Sequence, residues 1–314
     1  MNYYMHESGK LWQTEIPSDV SLAVALGCFD GVHIGHKALI DEVVNGDGGL
    51  TSAIWTFSEP LTVPYIEKVE DRIKLCARLG IKYAICESFE KFKQMTPSEF
   101  VCHLAKCNVK RIVCGEDFRF GRDREGDIET LKAEGESRGI ALTVIPSVYT
   151  EIDGEMQKVS STLIRTLIAD GKVDIAAKLL GRPFAVSGVI ISGNNLGRTI
   201  QVPTLNQRFE ASRIMLKNGV YNTVCVVNGN KYPSITNVGT RPTVKTGSHE
   251  KNCETHIIGE KLDLYGEIAS VEFYNYVREE KKFESLEELR AQITLDIETS
   301  VNYFSKFKEK SAEI

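Results

Sequence analysis

The chain has no run of apolar residues approaching the roughly 20 needed to cross a bilayer, so no membrane segment is predicted. No stretch reads as a basic arm, and a formal net charge of −5 supplies no field for a polyanion, which argues against nucleic acid as a partner. The pattern G-x-x-x-x-G-K-[ST] is missing, and with it the ordinary phosphate-binding P-loop. There is no C-x-x-C pair either. The eight cysteines (Cys28, Cys76, Cys86, Cys102, Cys107, Cys114, Cys225 and Cys253) lie mostly in apolar runs and follow no signal peptide. That usage predicts reduced thiols in a cytoplasmic protein rather than disulfides or zinc. Internal repeats and low-complexity segments are also lacking. What remains is 314 residues of ordinary globular composition, 42% hydrophobic and 26% charged, enough for about two domains.

Against this background the run Gly27-Cys28-Phe29-Asp30-Gly31-Val32-His33-Ile34-Gly35-His36 stands out. Leu22–Leu26 before it is a short apolar segment suited to a buried parallel strand, and Leu39, Ile40, Val43 and Val44 after it have helical spacing. The two histidines therefore fall where a strand turns into a helix. A helix start offers unpaired N–H groups and the positive end of a dipole, so phosphate is its natural guest. Imidazoles three residues apart on one side of that start can donate to charge developing on the phosphate.

Further apolar β-rich runs at Thr51–Phe57, Tyr83–Cys86, Arg111–Cys114 and Ala141–Ile145 alternate with helical stretches, which predicts a doubly wound α/β parallel sheet. Thr96-Pro97-Ser98-Glu99 reads as a capping box opening a helix that buries Phe100, Val101 and Leu104, and Asp71 as the cap of another. After Leu180-Gly181-Arg182-Pro183 strands follow one another through turns: Phe184–Ser192, Tyr221–Val227, Ser234–Val238, Thr255–Ile258 and Ile268–Tyr274. That texture predicts an antiparallel β-barrel. A last helix opens at the box Ser285-Leu286-Glu287-Glu288, with Leu286, Leu289, Ile293, Ile297, Val301 and Phe304 facing the barrel. The expected domains are 1–182 and 183–314, meeting near residues 181–185.

Three loops carry further chemistry. Residues 114–126 mix glycines, arginines and the aromatics Phe118 and Phe120, suiting a loop that closes over a flat, charged ligand. Ser160, Ser161 and Thr162 precede Arg165 at a helix opening, again donors for phosphate. Gly193 and Gly197 lie in a glycine- and asparagine-rich loop leading to Pro203-Thr204-Leu205-Asn206, whose hydroxyl and amide oxygen form a sensible hard-oxygen set for Mg²⁺. Glu254 opens a predicted strand, where it can accept a proton.

In order and spacing these motifs resemble the bacterial bifunctional riboflavin kinase/FMN adenylyltransferase family, also called FAD synthetase, over essentially the whole chain. The first half carries G-x-F-D-G-x-H-x-G-H, then G-x-D-F-R-F-G-x-x-R-x-G, then S-S-T-x-I-R; the second carries P-T-x-N, Gly219-Val220-Tyr221, Asn237-Val238-Gly239-Thr240-Arg241-Pro242-Thr243, Glu254-Thr255-His256 and Asp263-Leu264-Tyr265-Gly266. The resemblance implies phosphorylation of riboflavin to FMN and adenylylation of FMN to FAD, using ATP and Mg²⁺. It implies His33, His36 and Glu254 as catalytic groups, with Thr204 and Asn206 on the metal. Gly27, Phe29, Asp30, Gly35, Ser160, Ser161, Thr162, Arg165, Gly193, Gly197, Arg198, Thr204 and Asn206 would face nucleotide or phosphate, and Asp117, Phe118, Arg119 and Arg278 flavin. The chain departs from the family pattern at several places. Ser58-Glu59 stands where an F-x-P-H-P segment is usual, Leu163 where a second arginine is frequent, and Gln201-Val202 and Leu205 replace commoner residues around Pro-Thr. The first two departures open a second reading, a riboflavin kinase whose adenylyltransferase half is weak or inactive.

Overall fold

The structure is a computed structural model that describes residues 2–312 apart from 8, 9, 47, 48, 63, 192–201, 211, 243–248, 261 and 263. Contacts divide the chain into two units, Met1–Leu163 and Ile164–Ile314.

The first unit is built on β3 (Leu22–Leu26), β4 (Thr51–Phe57), β5 (Tyr83–Glu87), β6 (Val109–Gly115) and β7 (Ala141–Ile145), all parallel. A hairpin of β1 (Asn2–Glu7) and β2 (Lys10–Thr14) adds antiparallel to β5, giving the order β2-β1-β5-β4-β3-β6-β7. The crossovers carry α1 (Ile34–Asn45), α2 (Val69–Arg78), α3 (Phe89–Phe92), α4 (Pro97–Lys106) and α5 (Ile128–Glu136). β3 is buried on both faces, as a central parallel strand must be. Its Leu22, Val24 and Leu26 pack with Phe100, Val101 and Leu104 of α4, while its small Ala23 and Ala25 leave room for Ile40 and Val43 of α1. The strand order reverses between β3 and β6, and in open parallel sheets the ligand crevice lies at that reversal, beyond the carboxyl ends of the strands.

The predicted capping box of α4 is present: Thr96 Oγ1 accepts from Glu99 N at 3.2 Å, and Glu99 Oε2 accepts from Thr96 N at 2.8 Å. Asp71 is not a cap. α2 begins after Lys68, which puts Asp71 inside the first turn, where a carboxylate favours the dipole without capping it. The chain then forms a hairpin of β8 (Tyr149–Ile152) and β9 (Glu155–Lys158), followed by α6 (Ser161–Ala169) and α7 (Val173–Leu180). The division between units falls within α6, before the change of texture at 181–185, because α7 packs on strands of the second unit.

Those strands are β10 (Phe184–Val189), β11 (Leu205–Arg208), β12 (Gly219–Val227), β13 (Asn230–Pro242), β14 (His249–Ile257) and β15 (Ile268–Arg278), antiparallel in the order β10-β15-β12-β13-β14-β11. The barrel is nearly closed. At the seam Ile191 N donates to Asn206 O at 2.8 Å, and the Gln207 amide donates to Gly188 O and Ala269 O, each at 2.8 Å. Part of the interior is a ladder of buried hydroxyls, Ser234, Thr223, Thr236 and Thr255, linked at 2.8–2.9 Å.

α8 (Leu286–Ala312) supplies Leu289, Ile293, Ile297 and Phe304 as expected, but Leu286 and Val301 are exposed. Its buried face is polar at two positions instead. Asp296 takes a two-pronged hydrogen bond from Arg278 Nε and Nη2 at 2.9 and 2.6 Å, and Ser300 Oγ donates to Asn222 Oδ1 at 2.5 Å. Only half of the Ser285 box forms: Glu288 N donates to Ser285 Oγ, whereas the Glu288 carboxylate accepts from Glu284 N. Because the side chains of Asp296 and Arg278 are only 7% and 17% exposed, Asp296→Ala strands a guanidinium in a partly dry place. Chemical denaturation should show the second unit destabilised by about 3 kcal/mol, with unfolding of the first unit unchanged.

Candidate active sites

In the first unit everything turns on residues 27–33, which join β3 to α1. Phe29, Gly31 and Val32 all have positive φ, at 54°, 82° and 42°. For a β-branched valine this is an uncommon and strained conformation. Asp30 holds it in place. Its Oδ1 accepts from Ile66 N and Glu67 N, each at 3.0 Å, and its backbone carbonyl accepts from Ser161 Oγ at 2.8 Å. Arg72, only 2% exposed, donates to Cys28 O and to Phe57 O, the latter at 2.9 Å.

The turn delivers both histidines to the first turn of α1. His33 is the N-cap, its Nδ1 accepting from His36 N at 3.2 Å. That bond leaves the Nε2 of a neutral His33 as its proton-bearing, donating atom. The two rings stack with centroids 3.6 Å apart, which Gly35 permits: a Cβ there would stand 3.1 Å from His33 Cε1. Burial, then the neighbouring His33 and Arg72, hold His36 well below the usual histidine range, so its imidazole is neutral at pH 7. His36 Nδ1 is enclosed with no hydrogen-bond partner among the described residues.

A cavity of about 920 Å³ opens beside this turn, walled by Trp55, Phe57, Phe92 and Phe118 and rimmed by Arg119, Arg122 and Arg124. Gly27 and Cys28 line it from the loop after β3, and residues 117–124 from the loop after β6, the two strands at which the order reverses. Asp117, Phe118 and Arg119 all line the cavity, with Asp117 fixed by Lys158 Nζ at 2.6 Å. The same ammonium holds the Asp117 carboxyl below its ordinary range.

Other assignments change. Phe29 is fully buried beneath the His36 ring at 5.1 Å, which leaves it no surface for a nucleotide, and Asp30 gives its carboxylate to backbone amides; both build the turn. Gly27 gives room to the Phe29 ring, which a Cβ would meet at 3.3 Å. Ser160 caps α6 by accepting from Leu163 N at 3.2 Å, and Ser161 is tied to Asp30 O. Thr162 is exposed and Arg165 half-buried on α6. The imidazoles themselves are not among the residues lining the cavity, although Gly27 and Cys28 of the same loop are. Ser58-Glu59 has a structural use here, since Glu59 Oε1 accepts from Phe89 N at 2.5 Å and so pins the start of α3, which carries Phe92 to the cavity wall.

The second unit holds a cavity of about 250 Å³ lined by Thr204, Asn237, Glu254 and His256 on the barrel and by Leu289 and Ile293 on α8. Strand register makes this cluster. Glu254 on β14 lies opposite Asn206 of β11 on one side and Asn237 of β13 on the other. His256 Nδ1 lies 2.9 Å from Pro203 O, an atom that can only accept, so the ring carries its proton on Nδ1 and is held just before Thr204. Arg278 lines the cavity and, through Nε and Nη2 to Asp296 and Nη1 to Glu279 O, ties α8 to β15. Gly193, Gly197, Arg198 and Asp263 lie outside the described residues.

Sequence reasoning missed Arg72, Asn252 and Asp296. Asp296 left a signal, a carboxylate within the apolar stripe of Leu289, Ile293 and Ile297; the other two left none.

The clamp on the turn has a measurable consequence. Asp30→Ala leaves the amides of Ile66 and Glu67 without their acceptor, a loss of about 2–3 kcal/mol. Hydrogen exchange should show those two amides, protected in the parent, opening well before the sheet.

The FAD synthetase family matches residues 15–163 and the riboflavin kinase family residues 180–304. The bifunctional riboflavin kinase/FMN adenylyltransferase of Bacillus subtilis is 32% identical over 302 residues, covering 91% of this chain and 93% of that protein. The Escherichia coli protein of the same name is 34% identical over 300 residues, with 91% and 93% covered. A crystal structure of a macrolide-efflux protein from Streptococcus pneumoniae superposes with a TM-score of 0.81 at 30% identity, covering 91% of this chain and 96% of that one. Among the described residues no helix is long and apolar enough to cross a membrane. With each half matching its own enzyme family and the relatives aligned across both, the chain belongs to the bifunctional riboflavin kinase/FMN adenylyltransferase family.

Proposed function

We propose that the second unit phosphorylates riboflavin to FMN with ATP, and that the first joins FMN to the AMP moiety of a second ATP, giving FAD and pyrophosphate. The observation that carries this reading is the presence of two chemically different cavities in separate units. One has aromatic walls and an arginine rim; the other is lined by the carboxylate of Glu254 together with Thr204 and Asn237. Adenylyl transfer is assigned to residues 1–182 and phosphorylation to 183–314, with α7 attached in space to the barrel.

In the barrel, the terminal ribityl hydroxyl attacks the γ-phosphorus of ATP as the bond to the β-phosphate oxygen breaks and ADP leaves. Glu254 takes the proton released by the hydroxyl, which is a poor nucleophile until that proton has a destination. His256, held by Pro203 O, packs beside the base and does not react. Thr204 and Asn206 would hold Mg²⁺: a hydroxyl and an amide oxygen suit a hard cation, and the buried Oδ1 of neighbouring Asn252, which has no hydrogen-bond partner among the described residues, leaves an acceptor for a donor that arrives with the cation. When bound, Mg²⁺ neutralises charge on the transferring phosphates.

In the first unit a phosphate oxygen of FMN attacks the α-phosphorus of ATP, and the bond to pyrophosphate breaks. The flat flavin fits the cavity walled by Trp55, Phe57 and Phe118, with arginines at the rim for phosphate. Phosphate at the start of α1 meets the helix dipole and the imidazoles of His33 and His36. A neutral His36 imidazole can donate a hydrogen bond to charge as it builds without first repelling the arginine rim. Positioning and electrostatic complementarity supply most of the acceleration in such chemistry. The protein is assigned to the cytoplasm, where its thiols stay reduced.

A time course with riboflavin, ATP and Mg²⁺, resolved by chromatography, should show FMN rising first and FAD following. Absence of FAD from added FMN would favour a kinase with an inactive partner unit. Glu254→Gln should lower FMN formation by about 10²–10⁴-fold and leave FMN-to-FAD conversion intact. His36→Ala should do the reverse, by about 10²-fold or more. Loss of both activities in either variant contradicts the division of labour.

A further inference from the structure

Asn206 is 4% exposed, and its side chain does not stand alone. Asn252 of β14, 8% exposed, donates from Nδ2 to Asn206 Oδ1 at 3.1 Å. Asn252 and Glu254 are two residues apart on one strand and share a face, and Glu254 is the residue directly opposite Asn206. Asn252 Oδ1 is buried with no hydrogen-bond partner among the described residues. A buried amide oxygen without a partner is destabilising, so a stability argument alone favours an apolar residue there.

The last torsion of an asparagine is soft and nearly two-fold, and its two ends are chemically opposite. Whether Asn206 offers an oxygen or an NH₂ group is therefore decided by its neighbours. If the Asn206 amide turned over by itself, its NH₂ would face that of Asn252. If both amides turned together they would pair again, but Asn206 Oδ1 would then face Thr204 O, which Asn206 Nδ2 now approaches at 3.5 Å. Thr204 O and Asn252 Nδ2 together select one orientation. An amide oxygen has two lone pairs, so accepting from Asn252 leaves Asn206 Oδ1 able to bind a cation.

We infer that Asn252 is a positioning residue of the kinase site: it fixes the Asn206 oxygen for the magnesium–nucleotide, and its own Oδ1 takes a hydrogen bond from a water that the cation retains. Mg²⁺ characteristically keeps several waters, which gives the buried oxygen a donor. The inference rests on the assignment of Thr204 and Asn206 to the cation. Outer-sphere partners of this kind commonly carry a 10–100-fold share of metal affinity.

The test uses the full-length protein with ADP and FMN, Mn²⁺ as the probe, and electron paramagnetic resonance to count free Mn²⁺. Thr204→Val identifies the class of site concerned. Asn252→Leu, similar in size but without hydrogen-bonding groups, should weaken that class about tenfold or more while the cation-free melting temperature stays the same or rises. Asn252→Ala, which leaves space instead of filling it, should give the same loss of Mn²⁺. Asn206→Leu should match them, and the double variant Asn206→Leu/Asn252→Leu should be no weaker than Asn206→Leu. Parental Mn²⁺ affinity in both Asn252 variants, with loss in Asn206→Leu, overturns the role of Asn252 alone. Parental affinity in Asn206→Leu overturns the underlying cation assignment.

Discussion

A left-handed turn held shut by a buried carboxylate and a buried guanidinium governs the first unit. Phe29 and Val32 each sit in a backbone conformation costing about 1–3 kcal/mol. A carboxylate accepting a backbone N–H returns about 1.5–3 kcal/mol, and Asp30 makes more than one such bond. The strain is therefore sustained locally, without calling on the sheet. Arg72 completes the clamp from below by gathering the carbonyls of Cys28 and Phe57; burial lowers its pKa while Asp30, opposite in charge, pulls the other way. His33 and His36 owe their stacking, and His36 its neutrality, to this arrangement.

The second unit reaches a comparable result by register. No strained loop is needed to bring Glu254 to Asn206 and Asn237, because antiparallel pairing of β11, β14 and β13 sets them side by side. The barrel contributes fixed spacing, and α8 contributes one wall of the cavity, anchored through Asp296. Two solutions to one problem thus occur in a single chain. Phosphate chemistry asks for prearranged donors and acceptors, and either a clamped turn or a strand ladder can prearrange them.

Much of this was legible beforehand where one local signal dominates. The all-apolar β3 could only be a central strand, and Thr96-Pro97-Ser98-Glu99 could hardly be anything but a helix start. The loop carrying Asp117, Phe118 and Arg119 was recognisable by composition, and its place at the sheet reversal follows from strand order. Illegible were features that depend on distant partners. The β1–β2 hairpin exists because β5 offers an open edge, which the residues of the hairpin do not announce. Asp30 reads as a ligand until the amides of Ile66 and Glu67, some 36 residues on, prove to occupy it. Likewise Leu286 and Val301 fit a helical stripe, yet the buried face is set by where Asp296 and Ser300 find Arg278 and Asn222. Polar pairs across the fold overrode the apolar period.

The claim on which the account of the first unit depends is that the clamped turn keeps His36 neutral and ready to donate. Histidine-selective NMR across a pH titration of the full chain reads this directly, with His36→Gln identifying the resonance. The account predicts a His36 signal that stays flat from pH 8 down through about 6.5, the ordinary histidine value. Since the unfolded chain takes up that proton near 6.5 and the folded one does not, stability should also decline as pH falls below that value. A His36 inflection at 6.5 or above would contradict the account.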